Sequence, residues 1–259
     1  MSRLPMTFPI GSSTLAGTLD TAEGATGLLI VSGGSEIRSG AFSGQSLLAA
    51  RIAEAGFPVF RFDRRGIGDS DGEDRGFRSS MNDIAAALAA FQAMAPKLDR
   101  VIGFGNCDAA SALMLGGGIG CDGLVLSNPW VIEDDGANAT PPPAAIRSRY
   151  AEKLRNPKEL GRLLSGGVDL RKLARGILGA MKRQPAPTSL AQEMAAGLEP
   201  FGGPVSILLA TSDRTAQVFE GAWDTSDNRI ARCENAGHSY AEPHAREWLY
   251  QQLLAALKA

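Results

Sequence analysis

Histidine is scarce in this chain, with two in 259 residues, so any proton-transfer chemistry at neutral pH has few candidates. Cysteine numbers three, an odd count that does not make a disulfide framework. It fits a reducing compartment with a thiol free for chemistry. No charge of one sign dominates: 26 Lys and Arg stand against 28 Asp and Glu, so nothing points to a nucleic-acid partner. No run approaches the ~18 apolar residues that a membrane span needs. The first ten residues lack a basic segment followed by an apolar one, so no signal peptide is legible. The expectation is a cytoplasmic protein with no stable membrane insertion. No repeat of fixed period occurs, and no cofactor or metal is called for. A hydrophobic share of 44% and a charged share of 21% are ordinary for a globular chain. The length suits one large α/β domain or two small ones.

The pattern is one of alternating strands and helices. Short apolar runs at 27–31, 57–62, 101–105, 123–127 and 205–210, with a weaker one at 228–233, read as strands. Helical spacing covers 45–55, 80–95, 108–115 and 242–259. Such alternation with short links predicts βαβ units and a mostly parallel sheet. The rhythm stops after Trp130, where an acidic and then proline-rich stretch opens a segment with helical patterning only. That segment is rich in cations, among them Arg147, Arg149, Lys153, Arg155, Arg171, Lys172 and Arg175. The expected organisation is a core of 1–130 and 199–259, interrupted by a helical cap or lid at 131–198. The lid cations are either solvated helix faces or a means of concentrating anionic substrates.

The segment Val101-Ile-Gly-Phe-Gly-Asn-Cys-Asp-Ala-Ala-Ser111 carries the most information. It reads as strand, small-x-nucleophile-x-small, then helix, the pattern of a nucleophile elbow with Cys107 where serine usually stands. The turn is sharp, so Gly105 and Ala109 must be small. A thiol there points toward a helix N-terminus, which favours the thiolate. The alternative is that Cys107 is a buried structural cysteine.

A thiol nucleophile needs a base, and the base needs an orienting group. His238 sits in a loop of small residues between the last strand and the last helix, at the sheet edge where open α/β sheets bind ligands. His244 falls on the first turn of that helix and reads as a solvated residue. Asp213 directly follows the strand at 205–210 and is the candidate orienting acid, or else a turn or cap residue. Asp224 and Asp227 are weaker alternatives, further from a strand end. The chain order nucleophile, acid, histidine is that of α/β-hydrolases. Oxyanion donors would be the backbone N–H groups of Asp108 and of Gly34, with Ser35 a near rival to Gly34.

The stretch Phe62-Asp-Arg-Arg-Gly-Ile-Gly-Asp-Ser70 resembles one common in the α/β-hydrolase superfamily, where it shapes a loop beside the elbow. Asp63 and Ser70 are therefore expected to be structural. The whole chain resembles lidded, serine-aminopeptidase-type α/β-hydrolases. More narrowly, Val31-Ser-Gly-Gly-Ser-Glu-Ile-Arg-Ser-Gly40 and the Cys-Asp-Ala-Ala-Ser core resemble the hydrolase 1 family associated with the exosortase A system. The resemblance implies an α/β-hydrolase fold, with a mostly parallel twisted sheet and helices on both faces, and a link to exopolysaccharide and protein-sorting loci. Arg38 matches an arginine of that family's Gly-Gly loop. It is expected to hold the loop by a salt bridge rather than to meet an anionic substrate.

A thiolate attacks carbonyl carbon well but is readily expelled again, so substrates with good leaving groups are favoured. The expected activity is hydrolysis of small carboxylic esters or thioesters through Cys107, His238 and Asp213. The rival readings are an acyltransferase, because a thioester intermediate can pass its acyl group on, and a non-catalytic binding protein of α/β-hydrolase fold. Redox signalling through Cys107 has little support, since no Cys-x-x-Cys spacing occurs. The oligomeric state is left open, a homodimer among the options.

Overall fold

A computed structural model describes residues 2–132 and 189–259. The chain begins with an antiparallel hairpin, β1 (Arg3–Ile10) and β2 (Ser13–Asp20), turned at Gly11 with φ +57°. There follow β3 (Thr26–Val31), α1 (Gly44–Glu54), β4 (Val59–Phe62), α2 (Met81–Met94), β5 (Arg100–Asn106), α3 (Asp108–Leu115) and β6 (Gly123–Ser127). After residue 188 come α4 (Ser189–Leu198), β7 (Val205–Ala210), α5 (Arg214–Ala222), β8 (Ile230–Cys233) and α6 (Pro243–Lys258).

The eight described strands form one sheet in the order β1-β2-β4-β3-β5-β6-β7-β8. Strand β2 pairs antiparallel with both β1 and β4, and every other pairing is parallel, so β2 alone runs against the rest. This is the α/β-hydrolase fold expected from the sequence. The wholly apolar strands follow from burial on both faces. In β3, Leu28 and Ile30 face one helical layer while Leu29 and Val31 face the other. Helices α1 and α6 cover the first face through Ala49, Ile52, Leu249 and Leu253. Helices α2, α3, α4 and α5 cover the second through residues such as Phe91, Leu113, Met194 and Phe219.

Two differences from the sequence reading stand out. The hairpin β1–β2 has no place in it, because Pro5 and Pro9 break the apolar alternation of β1; at a sheet edge proline is tolerated. The other is α4, assigned from sequence to the lid. Its buried face of Leu190, Ala191, Met194 and Leu198 belongs to the core. A Cβ on Gly197 would lie 2.3 Å from the carbonyl oxygen of Met114, so α4 presses directly on the helix that follows Cys107. The rest of the insertion, 133–188 with its cations, lies outside the described residues. No helix among the described residues is long and apolar enough to cross a membrane.

Candidate active site

Cys107 occupies the bend between β5 and α3 with φ 62° and ψ −129°, a conformation that side chains other than glycine rarely adopt. Its surroundings over-determine that bend. The Cys107 N–H donates to the carbonyl of Ser127 at 3.0 Å, and its carbonyl accepts from Ala110 at 3.1 Å. A Cβ on Gly105 would come within 2.7 Å of the backbone of Ala109 and Ala110, so no larger residue fits there. Cys107 is partly exposed, whereas Cys121 and Cys233 are buried.

Asp213 leaves the C-terminal end of β7 and does two things at once. Its Oδ2 accepts from the Ala216 N–H at 3.1 Å, capping α5, and lies 2.9 Å from Nδ1 of His238. The same carboxylate oxygen thus caps α5 and contacts the imidazole. The His238 imidazole, 42% exposed, lines the same cavity as Cys107. Its pKa is pushed up to about 10, chiefly by the hydrogen bond to Asp213, then by the neighbouring Cys107, against the opposing effect of burial. With Nδ1 engaged by the carboxylate, Nε2 is the nitrogen left for the sulfur.

A polar network beneath this group holds the histidine loop. The Asn106 side-chain amide donates to the His238 carbonyl at 3.2 Å, and Asn128 donates to the same oxygen at 3.3 Å. Asn128 also donates to Asn106 at 3.0 Å and accepts from the Ala210 N–H at 2.9 Å. The buried Tyr240 hydroxyl bonds Ser127 at 2.9 Å while its ring stacks on Trp248. Sequence reasoning missed these residues. Two of them share a signal, a polar side chain where an apolar strand stops: Asn106 ends β5 and Asn128 directly follows β6.

The loop at 32–36 lies against Cys107. A Cβ on Gly33 would sit 2.4 Å from the Asn106 carbonyl oxygen and 3.2 Å from the Cys107 Cβ. Glu36, also missed, accepts from the Ala41 N–H and from Gln45, which in turn accepts from Ser32, so the loop is tied to α1. Burial pushes the Glu36 carboxyl up, opposed by the Ala41 N–H and the nearby His238. The Gly34 N–H does not stand open: it donates to Oδ1 of Asp108 at 2.7 Å. Ser35 lines the cavity beside it.

The other singled-out residues are occupied elsewhere. Asp63 is fully buried and accepts from the backbone N–H groups of Arg38 and Asp69 and from the Arg38 guanidinium. Arg38 also reaches Asp69 at 2.8 Å and Thr18 at 3.1 Å, so it holds the loop, as expected. Ser70 bridges the Asp63 carbonyl and the Ala16 N–H. His244 bonds the Glu234 carbonyl at 2.9 Å on the surface. Asp224 binds Ser226, and Asp227 binds Arg229 and Trp223.

A cavity of about 880 Å³ opens beside Cys107 and His238. Its described walls are mainly apolar, with Phe42, Leu47, Leu48, Phe104 and Leu249 prominent. Its size falls within the range of small-molecule sites.

Comparisons with known proteins agree with this architecture. No curated protein matches the sequence. Among solved structures, the esterase Pf2001 of Pyrococcus furiosus superposes with a TM-score of 0.60 at 14% identity, over 99% of this chain and 90% of that one. Est1E of Butyrivibrio proteoclasticus, solved with ferulic acid bound, gives a TM-score of 0.62 at 14% identity, over 98% and 100% of the two chains. A proline iminopeptidase of Mycobacterium smegmatis gives 0.58 at 16% identity, over 98% and 99%. At such identities the likeness is one of fold. The sequence model of the alpha/beta hydrolase family matches residues 28–252, which include Cys107, Asp213 and His238, and the chain belongs to that family.

Proposed function

We propose that this protein is a hydrolase of carboxylic esters or thioesters that uses Cys107 as nucleophile, His238 as base and Asp213 as orienting acid. The observation that carries the reading is the 2.9 Å contact between Asp213 and Nδ1 of His238, in a cavity that His238 lines together with Cys107. The mildly exposed sulfur on a strained bend, facing an apolar cavity, supports it further.

In this mechanism the Cys107 thiolate attacks the acyl carbon, and the carbonyl electron pair moves onto oxygen. Collapse of that intermediate expels the alcohol or thiol, which takes the proton held on His238, and leaves an acyl-thioenzyme. Neutral His238 then removes a proton from water, whose oxygen attacks the thioester. The carboxylic acid departs and the proton returns to the Cys107–His238 pair. The apolar walls suit an acyl chain or an aryl group rather than a strongly charged one. The resemblance of the Gly-Gly loop and the Cys-Asp-Ala-Ala-Ser core supports a place beside the exosortase A system.

The test is turnover of p-nitrophenyl acyl esters, with intact mass recorded during turnover. The expected result is an acyl adduct on Cys107 and loss of activity by about 10³-fold or more in Cys107→Ala. Native turnover by the alanine variant would sink the proposal.

A further inference from the structure

The Gly34 peptide is held at both ends. Its N–H donates to Oδ1 of Asp108 at 2.7 Å, and its carbonyl accepts from Nη2 of Arg64. The second Asp108 oxygen lies 3.7 Å from the same Arg64 nitrogen. A Cβ on Gly33 would meet Asp108 Oδ1 at 3.0 Å and the Cys107 Cβ at 3.2 Å, so this carboxylate lies over the elbow itself.

The arrangement conflicts with the reaction unless something moves. The Gly34 N–H is the donor expected for the oxyanion, and a carboxylate oxygen already holds it. An anion developing on the substrate would lose that donor and would face a like charge. The Arg64 side chain, 4% exposed, provides a way out. Its Nη1 is buried and has no hydrogen-bond partner among the described residues, a costly condition for a charged donor. An acceptor beside it would relieve that cost, and Asp108 Oδ2 lies close by, 3.7 Å from the neighbouring Nη2.

Building on the hydrolase reading above, we propose that Asp108 is a latch on the oxyanion site. In the resting protein its carboxylate occupies the Gly34 N–H. On arrival of a substrate carbonyl it moves onto Nη1 of Arg64 and frees that amide. The exchange is nearly even: the bond given up at Gly34 is replaced by a charge-assisted bond to a donor that had none. Substrates are thereby sorted by how well their carbonyl oxygen competes with a carboxylate for one backbone amide. Asp108 is a positioning residue in this scheme, and its backbone N–H remains available as the second oxyanion donor.

The test uses hexanal, which needs no turnover. Its carbonyl carbon bonds to the Cys107 sulfur, the carbonyl electron pair becomes an alkoxide at the oxyanion site, and His238 supplies the proton that completes the hemithioacetal. Affinity is measured by protection of Cys107 from iodoacetamide in wild type, Asp108→Ala and Asp108→Asn. Alkylation rates are compared at equal thiolate fraction, taken from their pH profiles. The latch predicts that Asp108→Ala binds hexanal about tenfold more tightly than wild type. Asp108→Asn, which keeps an acceptor oxygen, should gain less. Arg64→Met should weaken binding, and adding Asp108→Ala to it should restore it. Melting temperatures identify any variant that fails to fold, and Asp108→Ala alone decides the matter. Equal or weaker binding in Asp108→Ala, or no adduct in any protein while Cys107 alkylates normally, overturns the latch and makes Asp108 a fixed brace. Failure of iodoacetamide to select Cys107 would overturn the hydrolase reading, and the latch with it.

Discussion

The amide of Asn106, the residue before Cys107, donates to the backbone carbonyl of His238 at 3.2 Å. Cys107 and His238 stand 131 positions apart, yet one side chain adjoining the first bonds the backbone of the second. Asn128 completes the link by reaching the same carbonyl, Asn106 and the Ala210 N–H of β7. The edge of three neighbouring strands and the histidine loop are thus one hydrogen-bonded unit, and displacement of any part displaces the imidazole.

Asn128 is the hub, fully buried, and Asn128→Leu should show it. The substitution leaves the Ala210 N–H without its acceptor and Asn106 without its donor, which should cost about 1–3 kcal/mol. Because the His238 loop loses an anchor, ester turnover should fall by about tenfold or more at saturating substrate. Urea unfolding and steady-state kinetics on one preparation check both. A variant with native midpoint and native turnover would show that the network does not position the base.

Gly105→Val should be more severe, for steric reasons. Its Cβ would stand 2.7 Å from backbone atoms of Ala109 and Ala110, which cannot rotate aside as a side chain could. Overpacking of this kind should cost about 1–3 kcal/mol or more and push α3 off the sheet. Gly105→Ala should follow the same direction with a smaller effect. Thermal melts of the two variants, ordered wild type, alanine, valine, are the measurement.

The strands and the elbow were legible because their signals are local. A strand buried on both faces is a nearly unbroken apolar run, as 27–31 of β3 and 123–126 of β6 are, and a sharp bend needs small residues at fixed offsets from Cys107. Asp213 and His238 were legible by a different route, from chain order and placement after strands. What stayed hidden depends on partners distant in sequence. The prolines of β1 are tolerated only because that strand lies at an edge, which pairing decides. Helix α4 looked like lid because it adjoins the insertion; only its contact with α3 makes it core. The engagement of Gly34 by Asp108 joins residues 74 positions apart and has no sequence signature.

The three thiols should separate cleanly under a thiol reagent. Burial and the neighbouring Asp122 push Cys121 up to about 12, and burial with Glu242 and Glu234 also raises Cys233. Neither yields appreciable thiolate at pH 8, and both are buried. Stopped-flow titration with a chromogenic disulfide should show one fast thiol in the native protein and all three cysteines after unfolding. Cys107→Ala should abolish the fast phase. A fast phase that survived this substitution would assign the reactive thiol elsewhere.

The His238 pair should also mark the pH dependence of stability. Its pKa in the fold, about 10, lies above the ordinary histidine value of 6.5, so the folded protein holds this proton more tightly than the unfolded chain. The resulting stabilisation is complete below about pH 6.5 and is lost as the pH rises through about 10. The imidazole is 42% exposed, so solvent screening leaves only part of the effect. A shift of about 2–4 °C, the response of a domain this size to about 1 kcal/mol, is the expected scale. Between pH 7 and pH 10.5 the wild-type melting temperature should therefore fall further than that of His238→Gln, by about that amount. Parallel melting curves for the two proteins across this interval would mean that Asp213 and Cys107 do not hold a proton on the ring.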